Sequence, residues 1–452
     1  MIPCIAAIAV HVNGIQGSWQ FDDHQAIVTN PAIHSWAAWV ADLPGGIRPL
    51  LKATYTLNWT SGLGLAGFHI VNIAIHAGAS VLACVLAVRV CAPLDRRRPG
   101  AAVAAATIAA TLFAIHPVQT EAVTYVSGRS ASLMALLYMA ALWTHDLGCR
   151  SDRRLLAQVA SPLLFVAAAL VKEPAVTLPA ALLLWALLVR GERNPLRMAR
   201  EQGVHWILVV IVLALIFTHP HYGSLFTASL ESRSLEHNLL SQINGVSYLV
   251  SRLVLFARLN FDPDLPIFIR WHPVLVMQAV ALFALLATAV LQWRRRPWLA
   301  FGILWFFLQL APMTTLIPRT DLVNERHLYL ASAGLFIATA GLLVEWALRS
   351  PVHRRTASAT IGMLLLALAV ATPLRNLDYR SEVALWSDTV AKSPYKARAH
   401  NNLGYALREA GRLDEARKSY QRALELDPGL GGARQALERL RRQTEWRERN
   451  GS

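Results

Sequence analysis

The chain has 452 residues, of which 55% are hydrophobic, and a mean hydropathy of +0.38. Only 16% of its residues are charged, whereas a soluble protein is nearer a quarter, so one large soluble enzyme is excluded. Much of the net charge of +15 sits in short clusters between apolar runs. That pattern belongs to membrane topology and not to a nucleic-acid partner.

Charge also divides the chain. Residues 375–452 hold 27 charged side chains in 78, against 44 in the preceding 374. Residues 1–374 therefore read as a membrane domain with acidic motifs in its loops, and 375–452 as a domain in water. The four cysteines (Cys4, Cys84, Cys91 and Cys149) show no C-x-x-C pair, which argues against disulfide support and a cysteine zinc site.

Crossing ~30 Å of hydrocarbon takes ~20 mostly apolar helical residues. Eleven spans are predicted, on 1–13, 67–90, 101–115, 130–147, 155–171, 174–189, 204–218, 274–293, 298–317, 328–348 and 357–373. The first is too short to cross alone and has neither the basic start nor the cleavage site of a signal peptide, so the chain start is read as truncated or misassigned. Five loops carry the arginine clusters: Arg89 with Arg96–Arg98, Arg150 to Arg154, Arg190 to Arg200, Arg294–Arg296, and Arg349 to Arg355. The positive-inside rule puts these in the cytoplasm. Parity then leaves no crossing for 239–257, which is read as an interfacial or re-entrant helix. The tail and the loops 14–66, 116–129, 172–173, 219–273 and 318–327 fall on the outside.

These outer loops hold the unusual polar residues. The first contains Phe21-Asp22-Asp23-His24-Gln25-Ala26-Ile27, then Asn30-Pro31 and Arg48-Pro49-Leu50. Paired carboxylates at a membrane edge are costly unless solvated or used. One could deprotonate an acceptor hydroxyl while its neighbour orients the acceptor or holds a cation; the alternative is a solvated turn or a helix cap. His69, Asn72 and His76 share one face of the next span, as packing polars in preference to a metal site. His116 to Ala122 includes Glu121, and Gly128-Arg129-Ser130 follows. Lys172-Glu173-Pro174 is a short turn, and Asn324-Glu325-Arg326-His327 lies in the last loop. Arg129, Lys172 and Arg326 beside carboxylates suit a lipid-phosphate leaving group; each alone would pass for a headgroup anchor.

In the tail, Leu403-Gly404, Ala416, Tyr420, Ala423 and Pro428 fall at tetratricopeptide spacing over 397–430. His400 and Leu407 depart from the pattern. Trp386 to Pro394 reads as half of a preceding repeat and 431–447 as a capping helix. So short an array buries its faces only against something else, either the membrane domain or a partner.

FDDHQAI with NP, RPLL, GFHIVNIAIH, HPVQTEAVTYVSGRS, KEPAVTLPAALLL, NERHLYLASAG and the tail repeat occur in this order. Together they resemble the transmembrane and tetratricopeptide-repeat O-mannosyltransferases, within the C-type (GT-C) membrane glycosyltransferases. The resemblance implies an all-α polytopic fold with its active site in the outer loops. It implies a polyprenyl-phosphate-linked sugar as donor, a Ser or Thr hydroxyl of an exported protein as acceptor, and inversion at the anomeric carbon. Asp22 would be the catalytic base, with Asp23 and Glu121 as further acidic members. Arg48, His69, His116, Arg129, Lys172, Glu173 and Arg326 would contact the lipid phosphate or the sugar, and Asn401, Asn402 and Tyr405 the acceptor. No cofactor is specified and a divalent cation is left open. The Arg- and Ala-rich composition points to a bacterial inner membrane with the tail in the periplasm, so the sugar need not be mannose. Two other readings compete. A non-catalytic scaffold would tolerate loss of Asp22, Asp23 and Glu121, and a lipid transporter would want ionisable residues at mid-membrane.

Overall fold

A computed structural model describes residues 1–314, 318–319 and 321–450. Its elements are helical, with no strand among the described residues. The expected all-α membrane fold with a repeat tail is therefore present.

The chain opens with α1 (Ile2–His11) and a loop carrying α2 (Trp36–Asp42) and α3 (Pro49–Thr60). The bundle follows as α4 (Gly64–Cys91), α5 (Ala101–Ile115), α6 (Thr120–Val123), α7 (Arg129–Arg150), α8 (Ser161–Ala169) and α9 (Leu178–Trp185). It continues as α10 (Pro195–Thr218), α11 (Pro220–Ser232), α12 (Leu235–Arg252), α13 (Pro273–Gln292), α14 (Pro297–Thr314), α15 (Leu328–Ala347) and α16 (Pro351–Asn376). The tail is α17 (Glu382–Lys392), α18 (Ala397–Glu409), α19 (Leu413–Leu426) and α20 (Gly431–Asn450).

Local chemistry sets the boundaries. Asn194 caps α10 through Leu196 and Arg197 N–H, and Ser350 caps α16 through His353 N–H. A proline follows each cap, where its missing N–H costs nothing. Inside the bundle small residues let helices touch. A Cβ on Gly302 of α14 would meet the Gly334 carbonyl of α15 at 2.3 Å, and one on Gly334 would meet the Gly302 carbonyl at 2.3 Å. With lipid outside, such close packing replaces the hydrophobic drive.

Among the described residues seven helices are long and apolar enough to cross a membrane: Gly64–Arg96, Glu173–Arg190, Pro195–Thr218, Pro273–Gln292, Pro297–Thr314, Glu325–Ala347 and Pro351–Arg380. The bent pair Ala101–Ile115 and Pro117–Val123 would make eight. This is an integral membrane protein, but length and apolarity do not reach the expected eleven. The segments on 1–13 and 155–171 form short apolar helices, Ile2–Gln16 and Leu156–Ala169. Helix α7 is long enough, but His145 and Asp146 lower its apolarity; both are buried between neighbouring helices and not in lipid. The stretch expected at the interface, 239–257, forms the greater part of α12 and is not among the span-like helices. The end of the 298–317 span lies outside the described residues.

The tail packs as expected for a repeat. Ala416, Tyr420 and Ala423 of α19 are buried with Leu407 of α18 and with Ala433 and Leu437 of α20. A Cβ on Gly404 would lie 2.8 Å from the Tyr420 ring. Gly404→Val therefore overpacks this contact, at about 1–3 kcal/mol. In the full chain it is expected to make the tail cleavable by protease at a temperature where wild type resists. Gly431→Ala, where the added methyl meets open space, is expected to leave the cleavage pattern unchanged.

Candidate active site

The site is built where the loop after α1, the α5–α7 connection, the turn before α9 and the loop before α15 meet. Its anchor is Asp23. This side chain is fully buried, and its carboxylate accepts hydrogen bonds from Gln20 N–H at 3.0 Å, Ser127 N–H at 2.8 Å and Ser127 Oγ–H at 2.5 Å. The loop is thereby tied to the 125–128 turn. That turn needs glycine at 128, because a Cβ there would lie 2.1 Å from the Glu121 carbonyl oxygen.

Burial pushes the Asp23 carboxyl up to about 7, against the pull of its hydrogen bonds to Ser127 and Gln20. Neighbouring Asp22 stands differently. Its backbone N–H donates to the Tyr125 phenol at 3.0 Å, and its half-buried carboxylate has no hydrogen bond or ion pair among the described residues. Two adjacent carboxylates thus have separate work, one as anchor and one left free.

Phe21, just before Asp22, has φ +39, a region that costs a bulky residue of order 1–3 kcal/mol. Docking of the tail holds it there. Phe21 N–H donates to Glu382 Oε1 at 2.8 Å, and its ring meets Phe261 and Trp386 edge-on. Gln20 Nε2 donates to the Tyr379 carbonyl at 2.8 Å. The repeat therefore leans on the membrane domain, on the loop that carries Asp22.

Opposite, Glu121 is buried and accepts from Arg326 N–H at 2.9 Å, with the Arg326 guanidinium 3.6 Å from its other oxygen. Arg326 also lies within electrostatic reach of Tyr125 and Asp22. Lys172 and Arg326 line one small cavity with His327, Gln309, Met313 and Tyr329. The Lys172 ammonium has no hydrogen bond or ion pair among the described residues. Burial holds it well below the ordinary lysine range, and the charges of Arg326, Arg48 and Arg319 push it further. A half-buried cation cluster in which Lys172 has no carboxylate partner among the described residues suits an anionic ligand.

Arg48, also at positive φ (+55), grips Glu173 with two bonds of 2.9 Å, and Tyr222 donates to the same carboxylate at 2.5 Å. Glu173 directly follows Lys172 in the chain. Of three other expected contacts, Arg129 and His116 are occupied internally, while both ring nitrogens of His69 are buried without a hydrogen-bond partner. Arg129 is fully buried; it donates to Asn72 Oδ1 at 2.6 Å, to the Thr54 carbonyl at 3.1 Å and to the Phe68 carbonyl at 3.0 Å, and lies over the Tyr55 and Phe68 rings. His116 bonds the Leu253 carbonyl and caps Val118 N–H. His69 is buried against Gly17. None of the three lines the lysine pocket. His76, bonded to Tyr329 and the Ala114 carbonyl, is a packing polar, as expected. On α18, Asn401 and Asn402 are half-buried and bonded to each other at 3.3 Å, and Tyr405 is exposed beneath the Arg408 guanidinium.

Sequence reasoning missed Ser127, Tyr125 and Asp262. Ser127 and Tyr125 lie inside the quoted TEAVTYVSGRS stretch but had no role assigned. Asp262 is the hub of the tail dock: Lys396 and Arg398 both bond its carboxylate, and Arg398 reaches Asp321 at 2.5 Å. Nothing local marks these partners.

Residues 397–430 match the tetratricopeptide repeat family model. The protein O-mannosyl-transferase Tmtc3 of Drosophila melanogaster is 27% identical over 95% of this chain and 55% of its own length. The chain resembles the protein O-mannosyl-transferases over nearly its whole length. The Caenorhabditis elegans protein O-mannosyl-transferase F38B6.6 is 26% identical over 93% of this chain and 62% of that relative, and human TMTC4 is 25% identical over 92% and 64%. The chain thus spans between half and two thirds of the length of these relatives.

The raised Asp23 carboxyl carries a pH signature. Its folded value of about 7 exceeds the unfolded ~3.9, so the folded state binds the extra proton between them. Its contribution is fully present below about pH 4 and is lost as pH rises through 7. Wild type is expected to lose thermal stability relative to Asp23→Asn across that window, read by unfolding in detergent at stepped pH. Parallel profiles would contradict the assignment.

Proposed function

We propose that the protein is a membrane glycosyltransferase that moves a sugar, mannose or another hexose, from a polyprenyl-phosphate carrier to a Ser or Thr hydroxyl of an exported protein. The observation that carries this reading is the free Asp22 carboxylate held by the Asp23 anchor within electrostatic reach of Arg326, which itself shares a cavity with unpaired Lys172. The whole-length likeness to the protein O-mannosyl-transferases supports it.

In the proposed reaction the acceptor hydroxyl attacks the anomeric carbon while Asp22 takes its proton. The bond to the lipid phosphate breaks with inversion. Lys172 and Arg326 stabilise the charge that builds on the leaving phosphate. The cavity itself, ≈ 30 Å³, has room for about one water, so the phosphate would sit at its mouth. Arg319, whose charge also reaches Lys172, would join them there. Glu121 would orient Arg326, Arg48 with Glu173 would wall the pocket, and Asp23 would position Asp22. Asn401, Asn402 and Tyr405 would face the acceptor chain. The orientation that puts the arginine-rich loops in the cytoplasm would set this site and residues 375–452 in the periplasm of a bacterial inner membrane.

A scaffold reading keeps one observation in its favour, the exposed Tyr405 face of α18. Transfer from radiolabelled polyprenyl-phosphate sugars in membranes separates the two. Asp22→Asn is expected to lower transfer at least about 100-fold, the scale of a lost general base, at matched protein level and thermal stability. Tyr405→Ala is expected to weaken acceptor use by a smaller factor and spare the chemistry. Equal transfer by wild type and Asp22→Asn would remove Asp22 as the base.

A further inference from the structure

A second cluster of chemistry-bearing side chains lies at the other end of α7. This helix starts at Arg129, beside the Asp23 anchor, and ends at Arg150. At 1.5 Å per residue its ends are about 33 Å apart, so the cluster is remote from the proposed site. His145 and Cys149 stand four residues apart on α7, and Glu201 and His205 four apart on α10, so each pair shares a helix face. His145 Nε2 lies 3.4 Å from Cys149 Sγ. The ligand atoms of His145, Cys149 and Glu201 all fall within 4.8 Å of one another. The fully buried His205 ring meets the His145 ring edge-on at 5.2 Å. Its Nε2 is bonded to Ser161 Oγ at 2.9 Å, while its Nδ1 is buried without a hydrogen-bond partner.

We propose that His145, Cys149 and Glu201 bind a divalent ion of zinc type, with a water in the fourth position. One imidazole, one thiolate and one carboxylate supply three of the four positions of a tetrahedral zinc site. The single soft thiolate disfavours magnesium and calcium. Glu201 is now held by Arg190 and by Arg197, the latter at 2.9 Å. Metal entry displaces Arg190 from the carboxylate, forms the sulfur–metal bond and releases the Cys149 proton to solvent. The ion would then staple α7 to α10 at the membrane end opposite Asp22. Cys4, Cys84 and Cys91 are free as well, and none belongs to such a group among the described residues.

The test uses the full chain in detergent, stripped of metal with a chelator and titrated with cobalt(II), which reports thiolate ligation by a charge-transfer band. One cobalt per chain, a band displaced by zinc, and a raised unfolding temperature are expected. Cys149→Ser is expected to lose the band, and Glu201→Gln to weaken binding at least tenfold. A chain with Cys4, Cys84 and Cys91 all replaced by alanine is expected to keep the band, which decides the matter even if Cys149→Ser does not fold. No charge-transfer band in wild type at stoichiometric cobalt overturns the proposal. So does a band that survives in Cys149→Ser or disappears with the other three cysteines.

Discussion

Asp23 is the interaction on which the rest of this end of the molecule depends. A buried carboxylate is costly unless its oxygens are satisfied, and here one turn and one loop satisfy them together. That requirement fixes where the loop after α1 crosses the 125–128 turn. It also fixes the direction of its neighbour, since Asp22 N–H then falls on the Tyr125 phenol. A strained Phe21 would relax if free. The aromatic contacts with Phe261 and Trp386 and the bond to Glu382 hold it. The tail is therefore part of the architecture around Asp22, beyond any role as an acceptor platform.

The electrostatics follow a division of labour. Carboxylates that anchor are saturated: Asp23 by Ser127 and Gln20, Glu173 by Arg48 and Tyr222, and Asp262 by Lys396 and Arg398. Arg129 is saturated in the same way by Asn72 and backbone carbonyls. Among the described residues the Asp22 carboxylate on one side and the Lys172 ammonium on the other have no hydrogen bond or ion pair. An enzyme that must accept a proton at one point and bind an anion at another needs this separation, because paired groups would quench each other. At the arginine-rich end Arg97 and Arg296 both reach Glu345, so cations gather away from the proposed site too, in keeping with a headgroup-facing surface.

Much of this was legible in the sequence, for definite reasons. The repeat is local, so Gly404, Ala416, Tyr420 and Pro428 carry it within 34 residues. The polar motifs stand out against an apolar background. Pairings across distance were not legible. Asp262 meets Lys396 and Arg398 more than 130 residues away, and no periodicity announces that. Nor does the Asp22-Asp23 dipeptide say which carboxylate is buried, because the answer lies in Ser127. Arg129 alone would pass for a headgroup anchor and His116 for a substrate contact, but tertiary packing buries both. The 130–147 stretch reads as a span, and α7 forms there, but with His145 and Asp146 buried against its neighbours it is not among the helices apolar enough to cross on their own. The His145–Cys149–Glu201 group joins two helices whose ligand pairs are over fifty residues apart, which a search for C-x-x-C cannot find.

In the proposed reaction the lipid phosphate binds at Lys172 and Arg326 while Asp22 acts only on the acceptor. Binding of a polyprenyl phosphate without sugar, measured with purified full-length chain in detergent, tests this most directly. Lys172→Met is expected to weaken binding at least tenfold, while Asp22→Asn leaves it unchanged or tightens it by removing a nearby negative charge. A loss of binding in Asp22→Asn as large as that in Lys172→Met, or no loss in either, would contradict this division between phosphate and acceptor.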